Sequence, residues 1–440
     1  MAPRALSAAR VGEDGSMGWS EHAICYHVYP LGFLGAPIRD VPPDATPEAG
    51  PGRRLRGLVP WLDYIIELGA NALLLGPIFA SSSHGYDTVD FLRLDPRLGD
   101  DEDFDILVRE CHDRGLRVVL DGVFNHVGSH YPDYQAALTG GPDSAQARLF
   151  RIDFDAPGGP APAVFEGHGD LVELDHDSPA VVDLVVEVMN HWTRRGVDGW
   201  RLDAAYAVDP VFWARVLPRV REQRDDLFVY GEVIQGDYVD LVDRSGWDSL
   251  TQYELWKAIW SSLKDPNLYE LEHALKRHQE FVEHFVPTTF IGNHDVTRIA
   301  SQVGPELAVL AATVLLTVPG VPCIYYGDEL AMTGVKEERF GGDDAVRPAL
   351  PETPAGLDGS GAAMLRHYQH LVGLRRRHPW LHRATVEVED LTNESIRYVV
   401  REPDGPGVVT VSLDASAAQG PSARVSAGDE VLFEYAGVTQ

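Results

Sequence analysis

Four short segments place acidic side chains beside Gly, Arg, Asn and His, each directly after an apolar run. Asp121-Gly-Val-Phe-Asn125-His126 follows Leu116–Leu120, and Gly199-Trp200-Arg201-Leu202-Asp203 ends on its carboxylate. Gly231-Glu232 follows Phe228–Tyr230, and Asn293-His294-Asp295 follows Thr288–Ile291. A single Asp in such a place is ordinarily a helix cap. Several carboxylates converging on one cleft repel each other and cost stability unless chemistry needs them there. Cleavage of an acetal C–O bond is such a chemistry. It requires an acid on the leaving oxygen and a carboxylate on the other face of the ring, which attacks carbon or activates water.

The elements that must hold these residues alternate. The strand expectations are Ala23–Tyr29, Ala72–Gly76, Val118–Phe124, Gly199–Leu202, Phe228–Gly231, a weak strand near Asp248, Thr288–Ile291 and Pro322–Tyr325. Between them run amphipathic patterns over Leu58–Leu68, Glu102–Arg114, Ala180–Arg195, Pro210–Arg221, Tyr253–Glu283 and Pro305–Leu316. Eight such units fit an α/β (β/α)8 TIM barrel, whose site sits at the strand C-terminal ends. Alternation alone fits a doubly wound sheet equally well. Neighbouring strands lie about 4.8 Å apart, so Asp203 and Glu232, ending the fourth and fifth strands, could meet the roughly 5–5.5 Å separation of retaining glycosidases. Arg201, two residues before Asp203, projects to the same side and would keep it ionised.

Two segments break the rhythm. Residues 127–179, between the third strand and the third helix, are long and rich in Gly, Pro, Tyr and His, and read as an inserted subdomain. After Leu381 the chain turns to alternating β-type runs such as Ile396–Val400 and Gly407–Leu413. The expected organisation is therefore a flexible leader (1–20), a barrel (21–126 and 180–380), the insertion (127–179) and a small all-β domain (381–440).

The formal net charge is −30, with 67 acidic against 37 basic residues. That balance excludes a nucleic-acid backbone as partner, because too few cations remain to neutralise phosphates. No apolar run is long enough for a bilayer, and the N-terminal residues lack the apolar stretch of a secretory signal. Cys25, Cys111 and Cys323 form neither a disulfide framework nor a CxxC metal site. The expected location is cytoplasmic, with no membrane or nucleic-acid partner and an open oligomeric state.

Taken in order, the four segments resemble the strand-end motifs of the α-amylase family of glycoside hydrolases. His84-Gly-Tyr86-Asp-Thr88 and Gly320-Val-Pro-Cys-Ile-Tyr-Tyr-Gly-Asp-Glu329 extend the resemblance, which covers residues 22–350 or so. It implies a retaining α-glycosidase acting on α-glucosidic bonds. Asp203 would be the nucleophile, Glu232 the acid/base and Asp295 the third carboxylate, gripping sugar hydroxyls. Arg201 would orient Asp203, His126 and His294 would hydrogen-bond the sugar, Tyr86 would stack on it, and Asp121 would support the site.

Finer features are similar to members acting on short or cyclic maltodextrins, of the neopullulanase and cyclomaltodextrinase type. Ser83-His84-Gly85-Tyr86-Asp87-Thr88, Trp200–Ala205 and, loosely, Leu171–Asp175 carry that likeness. Three departures stand beside it: Tyr206-Ala207 replaces an Asn-Glu pair, no β domain precedes the barrel, and Ser83 replaces an Asp of oligosaccharide α-glucosidases. The Asn-Glu pair contains a Glu associated with accepting α-1,6 links. The missing β domain removes the expectation of a dimer built from it. The first loop, Arg39–Arg56, lacks an alternating calcium-ligand pattern. No catalytic metal or cofactor is expected. A structural Ca2+ could use Asn125, although Ala207 stands where α-amylases often have a His. The loop Phe340–Pro348 resembles one bordering the sugar site in small-substrate members, but it reads equally as a solvated surface loop and is left outside the catalytic set. A transglycosidase would carry the same residues. A catalytically silent sugar-binding relative would not need the acid/base pair, and a phosphate-dependent barrel enzyme would need a Gly-rich loop after strands seven and eight.

Overall fold

The computed structural model describes residues 18–38, 53–416, 418 and 420–437. Most of the expected leader and most of the loop Arg39–Arg56 lie outside the described residues. Eight strands form one parallel sheet: β1 (Cys25–Val28), β2 (Ala72–Leu75), β3 (Arg117–Gly122), β4 (Gly199–Leu202), β5 (Phe228–Gly231), β6 (Ser249–Leu250), β7 (Thr288–Phe290) and β8 (Val321–Tyr325). Their spatial order is β6-β5-β4-β3-β2-β1-β8-β7. A parallel bridge between Thr251 and Thr288 closes the remaining gap, helped by Ser249 Oγ, which donates to the Val286 carbonyl at 2.7 Å. The result is a (β/α)8 barrel.

The strands are buried on both faces, as their continuous apolar runs require. Inward side chains such as Cys25, Leu74, Val119, Tyr230 and Cys323 fill the interior, while outward ones such as Trp200, Leu202 and Val229 join the helix layer. Local signals start the helices. Asp100 and Asp103 form a reciprocal capping box at Asp101–Asp113, and the Ser178 and Asp209 side chains cap Pro179–Arg194 and Pro210–Arg221. The helix expected over Tyr253–Glu283 is two helices, Tyr253–Lys264 and Leu268–Val282. Pro266 explains the break, because it lacks an N–H and pushes Asp265 out of the helical region, to φ −120° and ψ 89°.

Three additions decorate the barrel. A hairpin of Phe79–Ser81 and Thr88–Leu94, not anticipated from the sequence, follows β2 and carries Tyr86 in its turn. The segment between β3 and the helix Pro179–Arg194 holds the short helix Pro132–Gly140 and the pairing of His126–Gly128 with Leu171–Glu173. After the helix Ala362–Arg377, five antiparallel strands, β9 (Thr385–Leu391), β10 (Ser395–Arg401), β11 (Val408–Asp414), β12 (Ser422–Ala427) and β13 (Glu430–Ala436), form a meander. It is fastened to the barrel by Tyr398 Oη and Thr317 Oγ1, 2.7 Å apart, and by the Val386 N–H donating to Gln279 Oε1 at 2.8 Å.

Candidate active site

Strand register places the acidic residues. Arg201 on β4 lies opposite Asp121 on β3, and Leu202 pairs with Gly231 on β5, so Asp203 and Glu232 leave neighbouring strands side by side. Gly231 is required before Glu232, since a Cβ there would fall 2.8 Å from the Trp247 ring. Arg201 ties the group together. Its Nη1 donates to both oxygens of Asp121 at 2.6 Å and to Asp203 Oδ1 at 3.3 Å, while Nη2 pairs with Glu232 Oε1 at 2.6 Å. Asp203 and Glu232 are 8% and 6% exposed, which leaves each a narrow opening to the cleft.

Glu232 has further donors. The Ala204 N–H reaches Oε2 at 3.0 Å, from a residue held in the left-handed region at φ 46°. Tyr253 Oη donates to Oε1 at 3.1 Å, and Asn293 Nδ2 donates to Tyr253 Oη at 2.9 Å. The Asn293 amide oxygen accepts the Asp295 N–H at 2.8 Å, so a chain of bonds links the seventh strand end to Glu232.

Asp295 stands a little apart, half-buried at the mouth. Its Oδ2 lies 2.8 Å from His294 Nε2 and its Oδ1 2.8 Å from Arg347 Nη2. Tyr86 Oη donates to Asp121 Oδ2 at 3.1 Å and hydrogen-bonds His294 Nε2, with the two rings near parallel. His126 engages both ring nitrogens with protein: Nε2 with the Tyr86 carbonyl at 3.1 Å and Nδ1 with the Asn125 amide at 3.1 Å. It also stacks on Phe165 of the inserted segment, centroids 4.8 Å apart. The eight residues singled out from the sequence (Tyr86, Asp121, His126, Arg201, Asp203, Glu232, His294 and Asp295) therefore share one bonded network.

The electrostatics divide the carboxylates. Burial, the adjacent Glu232 and the other site carboxylates push the Asp203 carboxyl well above its usual range, and Arg201 only partly opposes them. Burial also raises Asp121, against the pull of Arg201. For Asp295 burial acts in the same sense, but His294, Arg347 and Arg201 outweigh it and hold that carboxyl well below the usual range. Burial lowers His126 to about 4, so it is neutral near pH 7. The sequence argument expected Arg201 to keep Asp203 ionised. Arg201 sits closer to Glu232 than to Asp203, and burial with the neighbouring carboxylates raises the Asp203 carboxyl.

Sequence reasoning missed Tyr253, which no motif marks, and set aside Arg347 with its loop. Arg347 also donates from Nε to the His294 carbonyl at 2.9 Å, pinning the seventh strand end. Among the described residues no group of three or more His, Cys, Asp or Glu side chains is arranged to hold a metal ion.

A parallel barrel with four carboxylates and an arginine converging at its strand C-terminal ends belongs to the class of barrel hydrolases. The chain belongs to the α-amylase family: the model of the alpha amylase catalytic domain matches residues 38–155 and 164–397. It is 30% identical over 419 residues to a cyclomaltodextrinase of Geobacillus thermopakistaniensis (strain MAS1), covering 90% of this chain and 69% of that one. It is 31% identical over 386 residues to a maltogenic alpha-amylase of Bacillus acidopullulyticus, covering 82% of this chain and 64% of the relative. The chain thus spans about two thirds of the length of these relatives. The ligand-free structure of the cyclic alpha-maltosyl-(1→6)-maltose hydrolase from Arthrobacter globiformis superposes with a TM-score of 0.78 at 26% identity, over 92% of each chain.

Proposed function

We propose that this protein is a retaining α-glycoside hydrolase that cleaves α-glucosidic bonds in maltodextrins or other short or cyclic α-gluco-oligosaccharides. The observation that carries this reading is the pairing of Asp203 with Glu232 at adjacent strand ends, both reached by one guanidinium. The names of the similar proteins point to the same substrate class.

In this mechanism Asp203 attacks the anomeric carbon while Glu232 protonates the departing oxygen, and Glu232 then takes a proton from water as configuration is restored. Asp203 must be ionised at the start, and Arg201 Nη1, 3.3 Å from Asp203 Oδ1, favours that form against burial and the neighbouring carboxylates. Asp295, kept ionised by His294 and Arg347, accepts hydrogen bonds from hydroxyls of the sugar. Tyr86 and His294 wall that sugar.

No cofactor takes part, and no structural Ca2+ is needed. The protein works in the cytoplasm, without nucleic-acid or membrane partners. Among the described residues no helix is long and apolar enough to cross a membrane, and the three cysteines are buried and unpaired.

The test is a timed product profile on maltotetraose, a cyclodextrin, pullulan, isomaltose, sucrose and trehalose, with the anomer of the first product read by proton NMR. Shorter sugars released as the α-anomer are expected. A β-anomer would overturn retention, longer or relinked products would make the enzyme a transglycosidase, and inertness on the whole panel would leave a sugar-binding protein. Chelator treatment should leave the rate unchanged, and a loss restored by Ca2+ would refute the metal-free reading.

A further inference from the structure

Side chains of β1 alternate across the barrel wall. Tyr26 and Val28 face the helices and Cys25 faces the interior, so His27 also points inward, one layer nearer the mouth. It is buried, and its backbone pairs with Leu74 of β2 and Tyr325 of β8. Its ring meets the His294 ring nearly at a right angle, centroids 5.1 Å apart, and lies 5.2 Å from the Tyr325 ring. No motif marks this histidine, and the bond-breaking scheme gives it no part.

Two ring nitrogens are left over at this contact. His27 Nε2 and His294 Nδ1 are both buried, and among the described residues neither has a hydrogen-bond partner. Buried polar atoms ordinarily have one, and an unmet one is costly. Both are met at once if one nitrogen carries a hydrogen and the other is bare, paired directly or across a single buried water.

The rest of the site decides which is which. Tyr86 has one hydroxyl hydrogen, and it goes to Asp121 Oδ2 at 3.1 Å. Asp295, whose carboxyl is held well below the usual range, can only accept. His294 Nε2 faces both Tyr86 Oη and Asp295 Oδ2, so Nε2 must carry its hydrogen. A neutral imidazole then leaves Nδ1 bare and in need of a donor. Burial first, with His294 and Arg201 adding to it and Asp295 opposing, pushes His27 well below the usual histidine range. His27 is therefore neutral and has one N–H to give. Placed on Nε2, it is the donor that His294 lacks.

We propose that His27 is a positioning residue of this site, whose Nε2–H serves His294 Nδ1 and so keeps the His294 hydrogen on Nε2, facing Asp295 and the bound sugar. Without that donor His294 is free to adopt the other tautomer, which would set a bare Nε2 lone pair against the Asp295 carboxylate. The effect on catalysis rests on the glycosidase reading above, which makes Asp295 and His294 sugar contacts. The pairing of the two histidines does not.

The experiment measures kcat/KM on maltotriose for His27→Leu and His27→Gln, each alone and combined with His294→Ala. Alongside it, the tautomer of His294 is read by NMR of nitrogen-labelled histidine in the intact protein. Glutamine brings an amide N–H close to where Nε2 stood, whereas leucine fills the space and donates nothing. His27→Leu should lower kcat/KM about 10-fold or more, the scale of one buried hydrogen bond broken on one side. In the His294→Ala background the same change should matter by no more than about 2-fold, because the group it serves is gone. His27→Gln should recover most of the rate. The spectra should show hydrogen on His294 Nε2 in the unaltered protein and a shifted or mixed tautomer in His27→Leu.

An equal fall in both backgrounds would make His27 a packing residue, and no fall in either would make it idle. Hydrogen on His294 Nδ1 in the unaltered protein would reverse the assignment. Each of these outcomes overturns the proposal. If His27→Leu fails to fold, the spectrum of the unaltered protein and the His27→Gln cycle decide it. The tautomer is read without substrate, so a protein that cleaves no oligosaccharide would sink the glycosidase reading while the spectrum still decides the pairing.

Discussion

Arg201 Nη2 lies 2.6 Å from Glu232 Oε1, whereas Arg201 Nη1 lies 3.3 Å from Asp203 Oδ1. The cation therefore lies nearer the acid than the nucleophile. With burial and the Glu232 charge also acting on it, Asp203 is pushed well above the usual carboxylate range.

A pH dependence follows from that pair. A raised Asp203 takes up its proton early as pH falls, so the acid limb of kcat/KM should lie above the ordinary carboxylate range near 4. Glu232→Gln removes the neighbouring negative charge, and the Asp203 carboxyl should then drop. First-turnover fluoride release from α-maltosyl fluoride needs no acid and reads Asp203 directly. Its acid limb should move to lower pH in Glu232→Gln. An unmoved limb would show that Glu232 does not perturb Asp203.

Asp203→Asn separates chemistry from folding. Loss of the nucleophile should cut turnover of maltotetraose by about 10⁴-fold or more. The same change removes a buried carboxylate whose ionised form is disfavoured, so at pH 7 the variant should melt higher. A rise of about 2 °C is the scale of ~1 kcal/mol in a large domain. The sign reverses nowhere, but the gain should shrink as pH falls through the raised Asp203 range and vanish only below the unfolded carboxyl value near 4, where both states are neutral. Near-normal turnover would remove Asp203 from its role, and a lower melting temperature would remove the burial argument.

Much of this arrangement was legible because barrel strands advertise themselves. Gly199–Leu202 and Phe228–Gly231 are strands buried on both faces, and each is followed at once by a site residue. The carboxylates could be read because their positions follow from where strands stop. What could not be read is which loop side chain turns inward. Arg347 reaches Asp295 across 52 positions, and Tyr206 reaches Glu166 across 40. No periodicity links such pairs. Tyr253 opens a helix whose start the apolar pattern marked, yet its hydroxyl serves Glu232. The helical pattern over Tyr253–Glu283 also overrode the one residue, Pro266, that divides it.

At the opposite end of the barrel Asp198 does structural work. Its fully buried carboxylate accepts from Val118 N–H at 2.8 Å, Arg117 at 2.9 Å and Arg224 at 2.6 Å, and lies 2.8 Å from His112 Nε2. Burial alone would raise this carboxyl, but His112, the Val118 N–H and the two arginines hold it below the usual range. A depressed folded-state value adds stability that is present above the unfolded value near 4 and lost as pH falls through the folded one. Asp198→Ala should cost about 2 kcal/mol, measured by urea unfolding, because it leaves the buried Val118 N–H without its acceptor and takes a carboxylate from Arg117 and Arg224. Below its melting temperature the variant's kcat should be unchanged. A marked loss of kcat without loss of stability would contradict this division between the two barrel ends.

Arg347 offers the sharpest test of the cleft's other wall. It donates to Asp295 at 2.8 Å and to the His294 carbonyl at 2.9 Å, and its guanidinium lies over the Tyr29 ring at 4.7 Å. Removing it takes away one of the charges that hold Asp295 ionised, so the Asp295 carboxyl should rise. Arg347→Ala should lower kcat/KM for maltotetraose by about 100-fold, the scale of losing a charge-assisted contact in a buried site. Arg347→Lys restores the charge but not the two-directional fork, so it should recover the pH profile more fully than the rate. If lysine restored the rate completely, the geometric part of the argument would fail. If alanine left both rate and pH profile intact, Arg347 would be a bystander at the mouth of the barrel.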